Sequence, residues 1–436
     1  MSDHSGAELT RRGFLGFSAA AGASVLLASA CDIGGSSKGS SGSGKGEIRA
    51  LFMKQAGYSE DDINGMTADF HRANPKITVH PTLVSYDALH DKITAAAPAS
   101  TFDVVLIDVI WPAEFGSKKM ITDITSKVSG SNIKTGMLGG ALVTAEYQNH
   151  YYGLPWILDT KYLYYNKDHL QKAGVDPTQL ATWDGVAAAA KQIKSRGILE
   201  NPLAWSWKQV EALICDYTQL LGAFGGKFLS DDGKSPAFQN GGGVDALKYM
   251  VKTIDDGVTN KGSLEWVEDD VVKTFSGGQA SIALNWTYMY GAATDPKSSQ
   301  VADKVAITTT PKGPGGQNPG VNGSMALCVS SGSKNQNAAW EYVKYMTSEK
   351  NQNKYAKSSL PCWTASYSDS QVKQANPAVV PVAVQQLKSL INRPEVPRYN
   401  EMSQILQTEI QAALAKRKSP QDALNSAADQ AKELLK

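Results

Sequence analysis

The run Tyr152-Gly-Leu-Pro-Trp-Ile-Leu-Asp-Thr-Lys-Tyr-Leu-Tyr-Tyr-Asn-Lys-Asp168 decides how the rest of this chain is read. Gly153 and Pro155 punctuate its start. From Ile157 to Tyr165 it is β-branched and aromatic, which predicts a strand. Asp159 and Lys161 interrupt that strand. A carboxylate within a strand is costly to bury unless it is hydrogen-bonded. Two readings compete: Asp159 lies at an exposed strand end, or the strand crosses between two lobes and Asp159 faces the gap.

Working outward, the flanks carry α/β alternation. Glu47–Met53 predicts a first strand, a helix is expected around Asp61–Ala73, and Lys76–Val84 predicts a second strand. A second helix spans Tyr86–Ala97, and Phe102–Ile107 predicts a third strand. This βαβαβ order argues a mainly parallel sheet covered by helices. Ligands bind beyond the carboxyl ends of such strands, where Asp108 and Trp111 fall. After Asn166 the alternation resumes, with helices expected at Glu211–Ala223, Val244–Ile254 and Val267–Phe275. Strands follow at Ala280–Trp286, Val301–Thr310 and Ser324–Val329. The last hundred residues read as mostly helical.

With 436 residues the chain is too long for one ordinary core, so two domains are expected. A formal net charge of +1 leaves no electrostatic footprint for nucleic acid. No CxxC or HExxH spacing suggests a metal, and no cofactor is expected. Gly39 to Lys45 imitates a phosphate-binding loop, but Gly46 replaces the required hydroxyl residue and no strand precedes it.

The N-terminus reads as an address. Arg11-Arg12 precedes an apolar run that ends Leu26-Leu-Ala-Ser-Ala-Cys31. Residues 1–30 resemble a twin-arginine, lipoprotein-type signal with Cys31 as the lipidated residue, although the leucine stands four positions before the cysteine instead of three. Ala28-x-Ala30 equally suits an ordinary signal peptidase. Residues 31–46 are Gly/Ser-rich and read as a flexible tether. Export and an envelope location, membrane-anchored or periplasmic, are the expectation. An oxidising setting makes Cys215 and Cys362 the candidate disulfide, with Cys328 as a small buried hydrophobe.

The nine tryptophans and seventeen tyrosines are a sizeable aromatic complement. Trp111, Trp156, Trp205, Trp207, Trp286, Tyr288 and Trp363 are expected at strand ends or in loops. Aromatic rings give sugars an apolar platform, and carboxylates accept hydrogen bonds from their hydroxyls. Each ring also has an ordinary core reading. Asp108, Asp159 and Glu211 would have to converge for glycoside hydrolysis. Binding without catalysis is the simpler expectation.

Five segments resemble the extracellular solute-binding proteins of bacterial ABC importers, in the branch related to maltose- and trehalose-binding proteins. They are Phe102-Asp-Val-Val-Leu-Ile-Asp108 with Trp111-x-x-Glu114-Phe115, the opening run with Asp159, Gly277-Gly-Gln-Ala-Ser-Ile-Ala-Leu-Asn-Trp286, Asn337-Ala-Ala-Trp-Glu-Tyr-Val, and Arg398-Tyr-Asn through Leu424. The resemblance runs from about Glu47 to the C-terminus. It implies a type II periplasmic-binding-protein fold, α/β and two-lobed, with three hinge crossings. Residues 47–157 and 286–333 would form the N-terminal lobe, and 158–285 and 334–436 the C-terminal lobe. It implies a di- or oligosaccharide ligand, an ABC permease as partner and a monomeric protein; the alternatives are an exported carbohydrate-active enzyme or a binder of a polyol or glycerol phosphate ester. The ligand residues it implies, together with those read from the aromatics, are Asp108, Trp111, Asp159, Trp205, Trp207, Glu211, Trp286, Tyr288, Asn322 and Trp363. Ser324 and Trp363 depart from the Trp and Arg that disaccharide-binding members often carry there.

Overall fold

The computed structural model describes residues 45–54 and 57–436. The signal, the tether and Cys31 lie outside the described residues, apart from Lys45 and Gly46. These described residues form one compact unit built on two main sheets.

The first sheet has five strands in the order Ile77–Val84, Gly46–Met53, Val104–Asp108, Met325–Val329, Gly153–Ile157. Its first three strands are parallel, as the βαβαβ reading requires, and Met325–Val329 runs antiparallel to both neighbours. The helix Glu60–Ala73 starts at a capping box made by Ser59 and Asp62, and buries Ile63, Met66 and Phe70 against this sheet.

The second sheet has the order Val305–Thr308, Lys161–Asn166, Ile282–Trp286, Leu203–Ala204. Its period of two is plain. Leu163, Ile282 and Leu284 enter one core, while Tyr162, Tyr164 and Ala283 enter the core on the opposite face.

The opening run is therefore two strands, not one. Gly153–Ile157 ends in the first sheet and Lys161–Asn166 begins in the second. Leu158-Asp159-Thr160 is the first passage between lobes. Asp159 Oδ1 accepts from the Thr160 amide at 2.8 Å, a local bond that replaces ladder pairing at the break.

The expected lobe boundaries need correction in two places. Trp286 does not return the chain to the first lobe, because Met289, Ala293, Val305 and Ile307 still pack on the second sheet. The return comes between Thr308 and Met325. The helix Gln336–Met346 then belongs to the first lobe, burying Ala338, Ala339, Tyr342, Val343 and Met346 in that core. The third passage follows it, and Tyr399–Leu414 packs in the second lobe through Met402, Leu406 and Ile410. A helix adopts the lobe that covers its apolar stripe, whatever its order in the chain.

Candidate functional site

A cleft lies between the two sheets, enclosing about 820 Å³ including its open mouth. The first lobe contributes the carboxyl ends of two strands, at Met53 and Asp108, and the start of the antiparallel strand at Met325 with Gly323 before it. Tyr86 and Asp87 join them from the start of the helix Tyr86–Ala96. Asp159 lines the hinge. The second lobe presents two helix starts, at Glu211 and at Glu268-Asp269, and the aromatic pair Trp286 and Tyr288. Arg393 enters from the last passage between the lobes.

Asp159, Trp286 and Tyr288 are held by short-range chemistry. Asp159 Oδ1 accepts from the Thr287 amide at 3.2 Å and from its hydroxyl at 2.5 Å. Asn285 ties the strand end to the neighbouring helix, donating from Nδ2 to the Glu268 carbonyl at 3.0 Å. The indole of Trp286 donates to Glu268 Oε1 at 3.1 Å, and Tyr288 donates to Asp269 at 2.9 Å. Lys161 stands 5.1 Å from the Trp286 ring centroid and is fully buried. It bonds Asp216 at 2.6 Å and Ser206 at 3.0 Å.

Arg393 ties the two walls together. Its Nη2 reaches Asp108 at 2.9 Å and its Nη1 reaches Glu211 at 2.8 Å, with the guanidinium side chain 1% exposed. Tyr86 donates to the second oxygen of Asp108 at 3.0 Å. Glu211 also accepts from Tyr399 at 2.6 Å and from Ser403. Burial pushes the Asp159 carboxyl up to about 6, against the downward pull of its Thr287 and Thr160 hydrogen bonds.

Asp108, Asp159, Glu211, Trp286 and Tyr288 are thus gathered around the cleft, and the other five candidates are not. Trp111 is buried behind Tyr86, stacked at 5.9 Å, and packs on His90 and Phe115. Tyr86 takes the cleft face instead. Trp205 and Trp207 stack on each other at 5.1 Å inside the second-lobe core, next to Trp183. Trp363 packs with Met137, Leu158 and Cys362, and its indole donates to the Thr347 carbonyl at 2.9 Å. Trp156 packs behind the hinge on Phe52 and Tyr58. Asn322 is fully buried, bonded to Gly140, Asn392 and Ser324. Its carbonyl accepts from Arg393 at 3.2 Å, so it anchors the passage that carries the arginine.

The expected disulfide is also corrected. Cys215, Cys328 and Cys362 are free and buried. Cys215 lies on the helix Glu211–Ala223 beside the cleft, whereas Cys362 sits in the small cluster around Trp363. Separate packing environments keep them apart, and burial pushes both thiols up.

Sequence reading missed Tyr86, Glu268, Asp269, Gly323 and Arg393. Glu268 and Asp269 look like ordinary first-turn acids. Arg393 is a single basic residue before a proline, with no local signal of its partners. Gly323 is set by the ring it faces: a Cβ there would stand 2.3 Å from the Trp286 indole. Gly323→Ala should therefore displace the ring, weakening ligand binding by ~1–3 kcal/mol. Calorimetric titration of wild type and variant with a sugar that binds wild type would check this. Unchanged affinity would show that the ring position does not matter.

Two sheets, a hinged cleft between them and a lining of aromatics and hydrogen-bonding acids define a two-lobed solute-binding protein. Residues 56–353 match the model for bacterial extracellular solute-binding proteins, and the chain belongs to that family. A probable ABC transporter-binding protein of Deinococcus radiodurans is 28% identical, covering 76% of this chain and 79% of its own. Maltose-bound T. maritima MalE3 superposes with a TM-score of 0.82 at 28% identity, over 89% of this chain and 99% of that one. A Thermotoga lettingae ABC transporter solute-binding protein, bound with alpha-D-tagatose, shares the fold with a TM-score of 0.80 at 24% identity, over 89% and 100% of the chains.

Proposed function

We propose that this protein captures a sugar or polyol in the interlobe cleft and delivers it, without chemical change, to the permease of an ABC importer. One observation carries the reading: half-buried Trp286 offers a ring within a cleft whose other polar groups are mainly hydroxyl-accepting carboxylates. The maltose held by the 28%-identical T. maritima protein supports a carbohydrate as ligand. Of the three acids that a hydrolytic reading would recruit, Asp108 and Glu211 are both tied to Arg393, which favours binding over turnover. The same engagement of Arg393 disfavours a glycerol phosphate ester. Twin-arginine export, lipidation of Cys31 and a monomeric state complete the proposal.

Thermal shift against mono-, di- and oligosaccharides and hexitols tests it, since a ligand specific for the folded state raises the melting temperature. Silence across the panel would overturn the carbohydrate reading, and release of reducing ends would overturn the non-enzymatic one.

Binding should depend on pH through Asp159. Its raised pKa makes its contribution to apo stability greatest below the ordinary carboxylate value, and that contribution is lost as pH rises through about 6. Ligand hydroxyls reward the ionised form, so affinity should rise over the same interval. Titrations from acid to neutral pH should show this rise, and Asp159→Asn should flatten it.

A further inference from the structure

The charge around the cleft is one-sided. Asp87, Asp108, Asp159, Glu211, Glu268 and Asp269 line it, against Arg393 as the one cationic side chain among the described residues of the lining. Arg393 is already engaged by Asp108, Glu211 and the Asn322 carbonyl. Lys161, behind the Trp286 ring, is fully buried and engaged by Asp216, Ser206 and Glu268. Among the described residues neither cation lacks an ion-pair partner, and the Arg393 Nε–H is the donor that these pairs leave unbonded.

Three of the acids have no ion-pair partner among the described residues. Asp87 is exposed at the first-lobe helix start. Asp159 holds only hydroxyl and amide donors at the hinge. Asp269 accepts from Tyr288 at the second-lobe helix start. Three helix N-termini face the same space, and their dipoles offset about half a charge each. An excess of negative charge remains, and low-dielectric walls focus it into the cleft. Tyr86, Tyr288 and Trp286 add ring faces that attract cations. Such a lining complements a cationic ligand, and among the described residues no three His, Cys, Asp or Glu side chains are grouped to hold a metal.

We propose that the cleft selects an aminated sugar or polyol, bearing a protonated amine, over its neutral counterpart, and rejects sugar acids and sugar phosphates. This rests on the carbohydrate reading above. An ammonium would satisfy acids that hydroxyls alone leave uncompensated, whereas a carboxylate or phosphate would be desolvated among like charges.

The test is thermal shift and calorimetry at neutral pH with three matched series. The first contains neutral mono-, di- and oligosaccharides and hexitols. The second replaces one hydroxyl by an amine on the same scaffolds. The third contains the corresponding uronic acids and phosphate esters. At least one amine should bind about tenfold or more tightly than its neutral counterpart, with the ratio shrinking as salt is added. Asp269→Asn and Asp87→Asn should each narrow that ratio, and the acids should give no shift. Amines that bind no better than their neutral counterparts, or acids that bind as well, overturn the selectivity and leave the carbohydrate reading standing. Silence from all three series overturns that reading and the selectivity with it.

Discussion

Arg393→Met should lower the free energy of unfolding by ~3–5 kcal/mol, the cost of leaving buried charges without their partner. Two carboxylates lose their cation at once. Asp108 ends a first-lobe strand and Glu211 starts a second-lobe helix, so the loss falls on the joint between lobes. Among the described residues Asp108 would keep Tyr86 and the Ile110 amide, and Glu211 would keep Tyr399 and Ser403. Ligand affinity should fall with stability, because Arg393 also lines the cleft. Adding Asp108→Asn and Glu211→Gln to the methionine variant should recover part of the stability by removing the stranded charges. Urea midpoints for wild type, single and triple variants provide the check. A single-variant loss under ~1 kcal/mol would mean the pair behaves like a surface ion pair.

Lys161→Met should cost a similar ~3–5 kcal/mol, for a different reason. Lys161 and Asp216 are both fully buried within the second lobe, and no part of the first lobe shares the bond. Removing the ammonium strands Asp216 among Ser206 and the Lys161 hole, and it withdraws the cation that backs Trp286. Here the pair can be replaced as a unit. Lys161→Met with Asp216→Leu should be close to wild type or up to ~1–4 kcal/mol more stable, because neither charge then needs to leave water. Melting of the single and double variants checks it. A double variant no better than the single would show that Ser206 and Glu268 depend on the ion pair as well.

The two variants separate kinds of information in the chain. The βαβαβ order, the helix Glu211–Ala223 and the buried strand around Cys328 were legible, because amphipathic periodicity and caps are written in neighbouring residues. Asp159 was legible as an anomaly, a carboxylate in a β-rich run. Periodicity could not separate Trp286, which lines the cleft, from Trp205 and Trp207, which fill a core. Trp286 ends a strand and the other two follow one, and which side of a strand faces the cleft depends on what packs on the other side.

The sequence by itself determined the fold class and the aromatic and acidic character of the site, and the tertiary structure broke the opening run into two strands at Leu158–Thr160. Only the tertiary structure decided which lobe receives Gln336–Met346, that Cys215 and Cys362 stay apart, and that Tyr86 rather than Trp111 faces the cleft. It also decided the role of Arg393, which lies 285 residues from Asp108 and 182 from Glu211 along the chain. Local pattern is set by bonds between near neighbours. A charge network across a hinge is set by contacts that exist only once both lobes have folded, so no window of sequence contains it.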